Sequence, residues 1–206
     1  MGEAGDKVRG GISRREVLRN LAVGAAGGSV LQVIPAKAAE LAQEMIQKEK
    51  AISPAGKYAA KFFSTHQYQT LTLLCDLIIP EDEVSAGAVA AAAPEFIDLL
   101  TSENPDYQAI LGGGLMWLDN FSTDRYERTF LECSTAQQRN MLDLIGYREN
   151  ATKDVSLSPG IAFFAKLRLM TCDAFYTSKI GIEDLKYVGN TALAEFPGCP
   201  PLPSDN

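Results

Sequence analysis

The chain has 206 residues, 46% of them apolar and 22% charged, which is enough apolar material to bury a core and leaves no compositional reason for disorder. Charge is unevenly placed: residues 1–38 hold six Lys/Arg against three Asp/Glu (+3), and residues 39–206 hold thirteen against twenty-three (−10). An acidic body of that kind, with no basic stripe, repels phosphate backbones and argues against a nucleic-acid partner.

Residues 1–38 read as an address. Arg14, Arg15 and Arg19 form a positive n-region, and the weakly apolar run from Leu21 to Ile34 is interrupted by three glycines, Ser29 and Gln32. Its fourteen residues fall short of the ~20 that cross a bilayer. Ala36-Lys37-Ala38 fits the small-x-small pattern of signal peptidase, so cleavage is expected after Ala38, leaving a mature single domain over residues 39–206. Ser13-Arg14-Arg15-Glu16-Val17-Leu18-Arg19 resembles the twin-arginine export consensus, with Ser13, Arg14, Arg15 and Leu18 at its positions. The expected route is the twin-arginine translocase and the expected location the periplasm; an ordinary secretory signal that happens to carry two arginines is the alternative.

From Leu41 onward the punctuation is helical. Thr65 is placed to cap a segment in which Tyr68, Leu71, Leu74, Cys75 and Ile78 recur at three- and four-residue steps, ending at Pro80. Pro94 and Pro105 stand where first helical positions belong. Gly112-Gly113-Gly114 falls inside the second of these helices, with no preceding strand and no adjacent lysine, so it reads as a kink or a close helix–helix contact rather than a phosphate cradle. Ser134-Thr135-Ala136-Gln137 has the form of a capping box. Ser158-Pro159 opens the most apolar segment, Ile161 to Tyr176, whose apolar residues lie nearly all round and mark a central helix. No alternating β-branched run appears, so the expected class is all-α: a compact bundle of five to seven helices with an extended Pro-rich tail from Pro197 to Asn206.

Cofactor chemistry is hard to find in this chain. Cys75, Cys133, Cys172 and Cys199 are too widely spaced for a zinc knuckle, a haem attachment site or an iron–sulfur run. Whether they form disulfides is left open, although Cys75 and Cys172 lie in apolar helical patterns that favour buried thiols. His66 has no ligand-type residue at metal spacing before Asp76 and reads as a surface or capping residue. Glu81, Asp82 and Glu83 lack the spacing of a calcium loop and read as a solvated connection. Trp117 is assigned to the core ahead of an interface role.

The order of several motifs carries a family resemblance. Leu74-Cys75-Asp76-Leu77-Ile78-Ile79-Pro80-Glu81-Asp82-Glu83 is followed by Gly87-Ala88 and Ala93-Pro94-Glu95-Phe96-Ile97-Asp98. Phe163-Phe164, Leu167-Arg168 and Thr171 through Phe175-Tyr176 come next, then Gly189-Asn190 and Phe196-Pro197-Gly198-Cys199-Pro200. In these pieces the chain resembles the gluconate 2-dehydrogenase subunit 3 family, the small subunits of exported flavin-dependent sugar and sugar-acid dehydrogenases.

The resemblance implies a subunit with no active site and no cofactor of its own. It binds a large glucose–methanol–choline (GMC)-type flavoprotein that carries FAD, and a cytochrome c subunit with haem c often completes such complexes; contact with the membrane is then indirect, through the complex. Trp117, Phe175, Tyr176, Phe196, Pro197 and Pro200 are the candidate partner-facing residues. Two competing readings are a free-standing exported helical adaptor and a hydrolase using carboxylates such as Glu81, Glu95 or Asp98.

Overall fold

The computed structural model describes residues 36–53, 57–187 and 189, and among these residues there is no β-strand. The export run with Ser13, Arg14, Arg15 and Leu18, and the tail with Phe196, Pro197, Cys199 and Pro200, lie outside the described residues.

Six helices of eleven residues or more form the frame: α1 (Ala36–Ile52), α2 (Thr65–Ile78), α4 (Ala93–Glu103), α6 (Gly113–Tyr126), α7 (Thr135–Ile145) and α9 (Ser158–Tyr176). Short helices join them: α3 (Gly87–Ala90), α5 (Pro105–Tyr107), α8 (Asn150–Lys153) and α10 (Lys179–Asp184).

Local chemistry explains most of the boundaries. Ser64 caps α2: its hydroxyl accepts from the Gln67 amide and the Gln67 side chain accepts from the Ser64 amide, so the expected cap shifts by one residue from Thr65. Ser134 and Gln137 form the expected capping box on α7. Asn104 accepts from the Asp106 and Tyr107 amides ahead of α5, which places Pro105 at the first helical position, where its missing N–H costs nothing. Ala93 begins α4, one residue before Pro94.

Helix α9 is the centre of the molecule, in contact with α2, α3, α4, α6, α7 and α10. Its Gly160, Phe163, Leu167, Met170, Thr171, Ala174 and Phe175 are buried. Each fully buried Phe or Leu side chain contributes about 1.5–3 kcal/mol of burial free energy, and Phe96, Leu74, Leu111, Leu115 and Leu118 supply the facing surfaces.

The triglycine is both a kink and a contact. The helix begun at Pro105 passes through a π-helical turn, Gln108–Gly112, before α6 resumes at Gly113. A Cβ on Gly114 would stand 2.1 Å from the Phe163 ring of α9, and a Cβ on Gly160 of α9 would stand 2.2 Å from the Trp117 ring of α6. The two helices therefore interlock: each offers a glycine to an aromatic ring of the other. Trp117 is half-buried and stacks on Phe121 with ring centroids 4.6 Å apart.

Helix α1 docks on this frame through fully buried Ala39, Ala42 and Ile46. It is tied by a Lys50–Glu95 ion pair at 2.6 Å and by the Gln43 side-chain amide donating to the Ala174 carbonyl. Ala36 and Ala38, the expected cleavage signature, stand in its first turn.

Candidate partner interface

Asp98 on α4 is fully buried, and both of its carboxylate oxygens are occupied. Oδ2 accepts from the Tyr58 hydroxyl at 2.9 Å and the Lys61 amide at 2.7 Å, while Oδ1 accepts from the Phe62 and Phe63 amides at 3.1 Å. The charge compensates a stretch of backbone that has no helix of its own, clamping the loop before α2 onto α4. Burial first, and then the Asp98 carboxylate beside it, raises the Tyr58 phenol well above its ordinary value. Glu95 is engaged with Lys50.

The Glu81–Glu83 connection is exposed and tightly turned, as expected of a solvated loop. Asp82 accepts from the Val84 and Ser85 amides at 2.8 Å, and those bonds, Ser85 foremost, hold its carboxyl below the usual range. Gly87 closes the turn at φ 73°, where a Cβ would stand 2.7 Å from the Glu81 nitrogen.

His66 keeps the partly exposed side chain expected of it but also makes a tertiary contact. Its Nε2 lies 2.7 Å from Asp119 Oδ2, bridging α2 to α6, and the other Asp119 oxygen accepts from the Phe130 amide. Ser64, not His66, does the capping. The partner arrives from 53 positions down the chain, so no local spacing announced it.

The described cysteines do not pair with one another. Cys75 is buried beside the Thr171 hydroxyl and Cys133 beside Ser122, while Cys172 is half-buried. Burial pushes the Cys75 thiol up to about 12. Among the described residues, no group of three His, Cys, Asp or Glu side chains is placed to hold a metal ion, and no helix is long and apolar enough to cross a membrane.

The candidate partner-facing residues divide. Phe175 is only 1% exposed and is spent on the chain's own core, closed over by α10, where the Phe175 carbonyl is approached by Gly181. It offers nothing to a partner, which corrects its assignment to the surface. Tyr176, next to it, is 45% exposed, as expected when consecutive helical positions point about 100° apart. Trp117 presents only part of its ring; the rest is held over Gly160.

Besides a depression of about 570 Å³ lined by Gln69, Leu73, Glu81 and Val89, among others, two open surfaces stand out. One groove, of about 660 Å³, lies between α1 and α10 and is lined by Gln43, Gln47, Ala90, Ala91, Ile180 and Ile182, among others. The other runs along the crossing of α7 and α9, as two depressions of about 560 and 490 Å³ that share Gly146 and Arg168. Its floor includes Leu77, Leu142, Phe164, Ile161 and Leu169, and its rim carries Arg139, Arg148, Arg168 and Lys166 against Asp76 and Asp143.

The family model for gluconate 2-dehydrogenase subunit 3 matches residues 65–198, a span that holds every described element from α2 to α10. The chain belongs to the gluconate 2-dehydrogenase subunit 3 family. No curated protein and no solved structure matches it. Membership places the chain among the accessory subunits of dehydrogenase complexes, with other subunits of such a complex as its partners. The family match begins after α1, so the helix that follows the expected address docks on the matched frame from outside it.

Proposed function

We propose that this chain is the non-catalytic small subunit of a periplasmic, FAD-dependent dehydrogenase of the GMC type, acting on a sugar, polyol or sugar acid. It contributes the twin-arginine address and a helical surface that stabilises the large flavoprotein. The observation that carries this reading is the family match over residues 65–198, in a chain where Ser13-Arg14-Arg15 and Leu18 lie upstream of the matched segment. A prefolded export route suits a protein whose prosthetic group must be inserted in the cytoplasm. The flavin belongs to the companion, which travels on the signal of this subunit; a cytochrome c subunit with haem c passes the electrons onward.

Of the three carboxylates eligible for hydrolytic chemistry, Asp98 is engaged in the loop clamp and Glu95 with Lys50, while Glu81 stands exposed on its loop. Coexpression of the chain with the reading frames beside its gene tests the proposal. A tagged small subunit should co-purify with a yellow protein showing a flavin spectrum, and the isolated small subunit should oxidise no sugar or sugar acid. Recovery of a colourless monomer at equal yield from the coexpressing strain refutes the reading and favours a free-standing adaptor.

A further inference from the structure

The body of this chain is acidic, thirteen Lys/Arg against twenty-three Asp/Glu over residues 39–206. Many of its described cations are already engaged: Lys48, Lys50, Lys61 and Lys179 with glutamates, Arg125 over the Phe121 ring and Lys166 over the Tyr107 ring. Arg139, Arg148 and Arg168 stand apart. All three are exposed, all three edge the α7–α9 groove, and among the described residues no carboxylate lies within ion-pair distance of them. Tyr147, 63% exposed, lines the same depression as Arg139 and Arg168, with Leu142 and Phe164. Arginine and tyrosine around an apolar centre is the composition that anchors protein–protein contacts, because a guanidinium gives up its hydration more readily than an ammonium and a tyrosine buries much area with few rotatable bonds.

We infer that the α7–α9 groove is the docking surface for the large subunit, which presents carboxylates flanking an apolar ridge. The inference rests on the small-subunit reading above. Charge decides the occupant: an acidic surface is repelled by the rest of this body and attracted where three guanidinium groups have no carboxylate partner among the described residues, so the same field steers the approach and fixes the orientation. The groove between α1 and α10 is the weaker choice, because part of its wall, Glu40 to Lys48, comes from α1, outside the family match, and its lysines 48 and 179 already face glutamates. Every residue of the α7–α9 groove lies inside the match.

The test uses the full chain, tagged and coexpressed with the FAD-carrying large subunit, with flavin absorbance of the captured complex as the readout. The triple reversal R139E/R148E/R168E should lower the captured flavin by about ten-fold or more while leaving the helical circular dichroism and thermal midpoint of the small subunit in place. The control K179E/K186E should leave capture unchanged. Capture by the wild type should weaken between about 50 and about 500 mM salt, and the milder triple R139Q/R148Q/R168Q should flatten that dependence. Equal flavin yield from wild type and triple reversal, or a loss that follows the control instead, overturns the groove assignment and leaves the small-subunit reading intact. A wild-type chain that captures no flavoprotein overturns that reading, and the inference with it.

Discussion

Asp98 shows how one buried charge can hold a segment without secondary structure. Four donors converge on its two oxygens, three of them backbone amides of residues 61–63. Removing the carboxylate strands these donors in a dry site, so Asp98→Ala should cost about 3 kcal/mol or more of unfolding free energy, measured by urea denaturation. Asp98→Asn should fall between, since the amide keeps one acceptor but turns donors toward donors.

Tyr58 carries a consequence for pH. Burial, then Asp98, raises the folded phenol above its ordinary value, and burial does the same for Tyr68. A group raised on folding contributes stability that is fully present below its unfolded value and lost above it, so stability should decline as pH climbs past about 10. Tyr58→Phe should lower stability at neutral pH by about 1 kcal/mol, the net worth of one hydrogen bond, and flatten the alkaline decline; a variant that declines as steeply as the wild type contradicts the assignment. Thiol accessibility follows the same logic: Cys75, buried and with its thiol pushed up to about 12, should resist iodoacetamide in the folded protein, whereas half-buried Cys172 should label ahead of Cys75 and Cys133.

At the scale of elements, the α6–α9 crossing depends on two glycines that face different neighbours. A methyl on Gly114 meets Phe163 at its Cβ and ring root, in the core, where nothing can yield. A methyl on Gly160 meets the outer ring atoms of half-buried Trp117, which can swing outward. Gly114→Ala should therefore cost about 2–3 kcal/mol despite alanine's better helix propensity, and Gly160→Ala about 1 kcal/mol or less. Trp117 is the only tryptophan, so the second substitution should also shift its fluorescence to the red, while Gly114→Ala should act chiefly on the thermal midpoint. Helix starts were legible in the sequence because caps and prolines act within four residues: Ser134 with Gln137, Pro105 and Pro159 all stand where expected. The His66–Asp119 bridge and the partner of each glycine were not, since both come from another helix.

At the scale of the whole molecule, the proposed role makes export a property of two proteins at once. Arg14→Lys with Arg15→Lys should leave both this subunit and its flavoprotein in the cytoplasm, read by cell fractionation and by flavin content of the periplasmic fraction. Wild-type material recovered outside the cytoplasm should have the mass of a chain beginning at Ala39. Because Ala36 and Ala38 stand in the first turn of α1, that cut requires the turn to open, and the remainder of α1 keeps Ala42 and Ile46 as its buried anchors.

The linear order of residues was sufficient for the class of the fold, for several helix starts, for the centrality of α9 and for the family. All of these follow from periodicity, capping and motif order, which are local along the chain. Folding alone decided what each polar or aromatic side chain became. Phe175 and Tyr176 are neighbours in sequence, yet one is core and the other surface, and Asp98 is a clamp because the loop at residues 58–63 reaches it. Three scattered arginines become one rim because α7 and α9 cross there. The physical reason is that burial and charge pairing depend on which surfaces meet, and surfaces meet only when the chain is closed on itself.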